Sequence, residues 1–265
     1  MLKQRIKNSL HLLFYKYLTI ANPLIKSQRK NPLTIPVLII NFNQLFYLKQ
    51  LVEFLLERGF QNIIIIDNKS SYKPLLDYYS EIEGQVVIKV MKENYGHNVL
   101  YLARKEINEY TKGYFIITDP DIIPNENLPH DFLNKMIEYL EKYFNKISKV
   151  GFALRINDIP DYFSLKDKVL NWEKKFWDNK IENNCYLSII DTTFALYKPN
   201  YPYYFYNISF LPGLRVAGDF IAKHGGWYKD PNNLTQEELF YQKTANSSSS
   251  WNFDKDNKVL GNINY

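Results

Sequence analysis

Apolar positions in the first half of the chain follow two alternating rhythms. Val37 to Ile40 is a continuous apolar run between Pro36 and the polar-flanked turn Asn41, Phe42, Asn43. Continuity, as opposed to alternation, predicts a strand buried on both faces, as in a parallel sheet. Leu45, Leu48, Leu51, Val52, Leu55 and Leu56 then recur at helical spacing, with Gly59 as the stop, which predicts a helix over 44–58. The same exchange repeats along the chain. Strands are predicted at Asn62 to Ile66, Gln85 to Met91 and Tyr114 to Thr118, and helices around Pro74 to Ser80 and Val99 to Tyr110. Four strands alternating with helices predict parallel crossover units and a doubly wound α/β sheet.

Beyond Pro124 the rhythm is less regular. Phe132, Leu133, Met136, Ile137, Leu140 and Phe144 define the inward face of a helix over 131–144. A strand is expected at Val150 to Ile156 and a helix at Val169 to Trp177. Tyr186 to Lys198 reads as a strand-like run broken by Asp191, Thr192 and Thr193, and Asn200 to Phe210 is crowded with tyrosines that suit a packing lid or an aromatic platform for a sugar. Leu234 to Lys243 is a short helix with Thr235 as cap and Glu238 at the capping-box position. These boundaries divide the chain into an amino-terminal helix (1–30), one main domain (31–245, with halves 31–125 and 126–245) and a tail (246–265).

In the amino-terminal helix, Leu2, Ile6, Leu10, Leu13, Phe14, Tyr17 and Leu18 share one face, mixed with Lys3, Arg5, Lys7 and Lys16. His11 and Lys16 interrupt the apolar run, so it is too short to span a bilayer. It lies on an anionic membrane surface or packs on the domain, and its composition allows both. A length of 265 residues supports one sizeable core. The net charge of +5 and pI near 8.9 suit anionic nucleotides or a membrane surface and are too mild for nucleic acid. One cysteine, Cys185, excludes an internal disulfide and a cysteine-rich zinc site, which fits the cytoplasm.

Candidate chemistry collects where the strands end. In a doubly wound sheet ligands bind beyond the carboxyl ends of the strands, and here those ends carry Asn41, Asn43, Asp67, Asn68, Glu93, Asn94, Asp119 and Asp121. Asp119 and Asp121 flank Pro120 on a stiff loop directly after an apolar strand. Two carboxylates this close repel unless a cation lies between them, and hard oxygen donors suit Mg²⁺ or Mn²⁺ with positions left for nucleotide phosphates. Asp191 interrupts an apolar stretch, so it is either a catalytic base or a structural acid bonded to Thr193. His224, followed by Gly225 and Gly226, is either a metal ligand or a structural histidine.

Four segments in order, PVLIINFNQLFYLKQLVEFLL, IIIIDNKSS, KENYGHN and TDPD, resemble the family 2 type glycosyltransferases of the GT-A fold over about Ile35 to Pro124. The resemblance implies a Rossmann-like mixed sheet flanked by helices and transfer of a sugar from a nucleotide donor, UDP-linked by preference, to a glycan or lipid-linked acceptor. It places Asn41 and Asn43 near the nucleotide, Asp67 on uracil or ribose, and Asn94 and Gly96 along the donor. Asp119 and Asp121 would hold the metal and diphosphate, with a late histidine, here His224, completing the site. The usual Glu-Asp pair at a helix start is absent. A sugar nucleotidyltransferase would place a glycine-rich basic loop after the first strand, where this chain has NFNQLFY. A silent GT-A-like, membrane-associated binding module is the remaining alternative.

Overall fold

The computed structural model describes residues 2–144, 146–190, 193–199, 212–245, 252–253 and 259–260. The helices are α1 (Leu2–Ala21), α2 (Pro23–Lys30), α3 (Phe46–Glu57), α4 (Lys73–Glu81), α5 (Val99–Leu102), α6 (Arg104–Ile107), α7 (Phe132–Lys142), α8 (Lys166–Lys174) and α9 (Gln236–Thr244). The strands are β1 (Val37–Asn41), β2 (Ile63–Asp67), β3 (Val87–Val90), β4 (Phe115–Thr118), β5 (Ile122–Pro124), β6 (Lys149–Phe152), β7 (Lys180–Glu182), β8 (Cys185–Ile189), β9 (Ala195–Tyr197), β10 (Pro212–Val216), β11 (Ala222–His224), β12 (Asn252–Phe253) and β13 (Val259–Leu260).

Nine strands form one sheet in the order β3-β2-β1-β4-β9-β6-β10-β8-β7. Strands β3, β2, β1 and β4 are parallel, as the apolar runs predict, with Ile39 opposite Ile65 and Thr118. Strand β9 then enters antiparallel between β4 and β6, while β6 and β10 are parallel to each other. The result is the Rossmann-like, doubly wound mixed sheet expected of the GT-A class. Alternate residues of the central strands feed two cores. Ile39, Ile65 and Ile116 pack with Leu51, Phe132 and Phe152 on one face, and Leu38, Ile64 and Phe115 with Val99 and Ile107 on the other.

Several elements differ from the sequence expectation. Strand β3 is shorter than the 85–91 expected, and it is an edge strand with Val87 and Val90 exposed. The single helix expected over 99–110 is broken into α5, α6 and a 3₁₀ turn, with Ala103 out of helical geometry. The amino-terminal helix is also two helices. Asn22 ends α1 and caps α2, its Oδ1 accepting from the Leu24 and Ile25 amides, and Pro23 occupies the first turn where its missing N–H costs nothing.

Helix α2 belongs to the domain. Ile25 is fully buried, and Gln28 clamps the start of β4, its Nε2 donating to the Tyr114 carbonyl at 2.9 Å while its Oε1 accepts from the Tyr114 amide at 2.8 Å. Gly113 makes room for that clamp: a Cβ there would lie 2.3 Å from Gln28 Oε1. Strand β10 carries no clear apolar signal because Arg215 sits in it. That guanidinium is buried against Glu173 of α8 at 2.6 Å, the pairing a buried charge requires.

Candidate active site

The carboxyl ends of β1 and β2 are joined by a buried polar network. Asn41 Nδ2 donates to the Tyr79 hydroxyl at 2.9 Å, which donates to Asp67 Oδ2 at 2.7 Å, and Asp67 Oδ1 accepts from the Ser70 amide at 2.7 Å. Burial and the adjacent Asp67 carboxylate push the Tyr79 phenol far above its ordinary range, so it stays a donor. Asn43 has a left-handed backbone, φ 50°, which an asparagine tolerates at a tight turn. Its Oδ1 accepts from the Ser71 and Tyr72 amides and its Nδ2 donates to Thr244 of α9. Asp67 and Asn43 are therefore engaged in holding the loops after β1 and β2. Asn68 links that network to the next loop, its Nδ2 donating to the Gly96 carbonyl while Asn94 Oδ1 accepts from the Gly96 amide. Two acceptors in this rim, Asn41 Oδ1 and Asn68 Oδ1, are buried with no partner among the described residues.

Asp119, Pro120 and Asp121 form the turn between β4 and β5. Asp119 is half-buried; Asp121 is buried. The small antiparallel sheet of β5 and β11 sets His224 across from Ile122, one residue past Asp121. His224 Nδ1 consequently lies 3.3 Å from Asp121 Oδ2, with its ring stacked on Trp227 at 4.6 Å. Asp121 also anchors the turn after β11: Gly225 donates its amide to the Asp121 carbonyl, and Gly226 donates to Asp121 Oδ2 at 2.9 Å. The glycines admit close neighbours. A Cβ on Gly226 would come within 3.1 Å of that carboxylate oxygen, and one on Gly225 within 2.4 Å of the Tyr47 ring.

Of the three candidate metal ligands, the structure brings Asp121 and His224 together. Among the described residues no three His, Cys, Asp or Glu side chains form a set able to hold a metal ion, so Asp119 does not close the cluster. The donor set still fits a hard cation. Oxygen and imidazole donors 3.3 Å apart have about the spacing of adjacent ligands on one ion at roughly 2.1 Å, and Mg²⁺ commonly keeps one or two carboxylates, here Asp121, with substrate phosphates and water completing its shell. The His224 Nδ1 lacks a hydrogen-bond partner among the described residues, which suits a ligand. Asp191 and the segment from Asn200 to Phe210 lie outside the described residues.

Two residues absent from the sequence reading border this turn. Tyr47, in the first turn of α3, has its phenol raised by burial and then by Asp121. Lys229 is half-buried in the field of Asp121, Glu238 and Glu237, and burial lowers its ammonium below the usual lysine range. Neither has a local sequence signal, because elements distant in the chain bring them to the turn. Helix α9 reaches across the same edge. Glu237 accepts from the Leu45 and Phe46 amides at the amino end of α3, and Tyr72 packs on Phe240 with ring centroids 5.1 Å apart.

No family model matches the chain, and no curated protein matches it. Among solved structures it is similar to the mannosyltransferase PcManGT from Pyrobaculum calidifontis in complex with GDP-Man and Mn²⁺, at 11% identity and a TM-score of 0.46, over 89% of this chain and 72% of that one. It is also similar to a UDP-glucose pyrophosphorylase complexed with UDP-glucose, at 14% identity and a TM-score of 0.31, over 70% of this chain and 74% of that one. Both likenesses are distant.

Proposed function

We propose that this chain is a metal-dependent glycosyltransferase that moves a sugar from a nucleotide-sugar donor, UDP-linked by preference, to a hydroxyl of a glycan or lipid-linked saccharide with inversion. The observation that carries the reading is the pairing of Asp121 with His224 at the carboxyl edge of a doubly wound sheet, directly after the Asp119-Pro120-Asp121 turn. Mn²⁺ or Mg²⁺ held by Asp121 and His224 would stabilise charge on the departing diphosphate. Asp119, half-buried on the same turn, orients the donor from the other side of Pro120.

The nucleoside belongs over β1 and β2. Asn41 Oδ1 and Asn68 Oδ1, buried acceptors without partners among the described residues, would receive N–H or O–H groups of base and ribose. Asp67 and Asn43 act through the loops they hold, and Asn94 and Gly96 border the donor. Asp191 is assigned as the base that takes the acceptor proton, so that displacement is direct and the anomeric centre inverts. The reading places the protein in the cytoplasm, where its single cysteine, buried and unpaired, meets no oxidising demand.

Thermal unfolding with a panel of nucleotide sugars, with and without Mn²⁺, tests this directly. A native-state ligand at a hundred times its Kd adds about 2.7 kcal/mol of stability, and the matching donor should also be hydrolysed slowly in the presence of the metal. No shift with any nucleotide sugar would favour a silent binding module. Nucleoside triphosphate turnover with sugar phosphate would favour a nucleotidyltransferase. NMR of the product showing retained configuration would remove Asp191 from its role.

A further inference from the structure

Helix α1 presents an apolar stripe to solvent. Leu10, Leu13, Tyr17 and Ile20 recur every three or four residues and are 60%, 64%, 65% and 70% exposed. The opposite side makes the attachment to the domain: Thr19 is buried and Leu18 packs on the core. Single exposed leucines are ordinary on a soluble protein, whereas four large side chains aligned on one helix face mark a contact surface.

The charge around that stripe identifies its occupant. Residues 1–30 contain Lys3, Arg5, Lys7, Lys16, Lys26, Arg29 and Lys30 and no acidic residue; the first acid in the chain is Glu53. The rest of the chain is slightly acidic, so the positive charge is concentrated where the apolar stripe is. A second copy docking through the same face would set two strongly basic segments against each other in an isologous interface. An anionic lipid surface instead takes both features at once, attracting the basic residues to its headgroups and admitting leucine and tyrosine side chains to the acyl boundary. No helix among the described residues is long and apolar enough to cross a membrane.

We infer that α1 is a monotopic membrane-docking helix that lies in the plane of an anionic leaflet through Leu10, Leu13, Tyr17 and Ile20, while α2 remains part of the folded domain. The break at Asn22 and Pro23 separates the two roles, since α2 is anchored by the burial of Ile25 and by the Gln28 clamp on Tyr114. The inference is independent of the transfer reaction, because vesicle binding requires neither nucleotide nor metal.

The full chain is expected to float with vesicles of phosphatidylcholine and phosphatidylglycerol at low salt and to be released at high salt. Leu13→Asp with Tyr17→Asp should abolish flotation and leave the melting temperature unchanged, because both side chains face solvent. Lys16→Glu exchanges one positive charge for a negative one at the surface and should weaken partitioning by at least about tenfold. Absence of binding by the unaltered chain would overturn the proposal, as would equal binding to neutral vesicles. A dimer in solution that dissociates on Leu13→Asp, without vesicle binding, would overturn it in favour of self-association. If the double variant fails to fold, the single Lys16→Glu variant and the salt dependence of the unaltered chain still decide.

Discussion

Asp121 and Asp119 are two residues apart and differ in what holds them. Before the partners of Asp121 are known, it reads as a loop carboxylate removable without structural consequence. The geometry corrects this: it accepts the Gly226 amide, and its backbone carbonyl accepts Gly225. Asp121→Ala is therefore expected to eliminate metal-stimulated transfer and also to cost about 1–3 kcal/mol, since the buried Gly226 N–H loses its acceptor. Asp119→Ala should weaken nucleotide binding with a smaller change in stability. Parallel denaturation and nucleotide titrations check both, and near-normal turnover by Asp121→Ala would sink the site assignment. The position of this turn was legible in sequence, because an apolar run broken by Pro-flanked acids marks the end of a strand. The His224 contact was legible only as a residue type, since its 3.3 Å approach depends on the β5–β11 pairing.

At the scale of elements, α9 has a task that its own sequence does not disclose. The capping box at Thr235 and Glu238 is local and forms as its spacing predicts. Glu237, one residue earlier in that first turn, points away from its own helix and caps another. It accepts from Leu45 and Phe46 at the amino end of α3, which has no side-chain cap of its own, and the carboxylate complements the positive end of that helix. Glu237→Ala should cost about 1 kcal/mol and loosen the loop after β1, where Asn43 also bonds Thr244. Hydrogen exchange should show the Leu45 and Phe46 amides losing protection while those of β2 keep it; unchanged protection at Leu45 would refute the capping role. The break at Asn22 is a comparable case. An asparagine and a proline are visible in sequence, but the burial of Ile25 and Gln28 determines that α2 joins the domain.

At the scale of the whole molecule, several buried ionisable groups give stability a defined pH dependence. Lys198, donating to the Phe144 carbonyl, has its ammonium lowered by burial to about 8, against 10.5 unperturbed. Between those values the unfolded chain holds a proton that the native chain has released, so stability rises with pH across that window. Burial shifts Lys223 and Lys229 in the same direction. Tyrosines act oppositely. Tyr78 and Tyr228 are raised to about 12 from 10.0, chiefly by burial, so above pH 10 the unfolded chain ionises first and stability falls. Melting temperature is expected to climb from about pH 8, peak near 10 and then decline, and Lys198→Met should flatten the climb. A monotonic fall from pH 8 would contradict the buried-lysine contribution.

The sequence by itself determined the parallel half of the sheet, the amphipathic helices and the polar rim at the strand ends. Each depends on short-range periodicity: two-sided burial makes β1, β2 and β4 continuous apolar runs, and one-sided packing spaces the leucines of α3. Tertiary structure alone decided the antiparallel entry of β9, the edge position of β3, the hidden strand β10 with its buried Arg215–Glu173 pair, and the gathering of Tyr47, His224 and Lys229 around Asp121. These depend on contacts between residues up to about a hundred positions apart, such as Gly226 with Asp121. Such contacts leave no local period, because each partner meets only the burial and hydrogen-bonding demands of its own position.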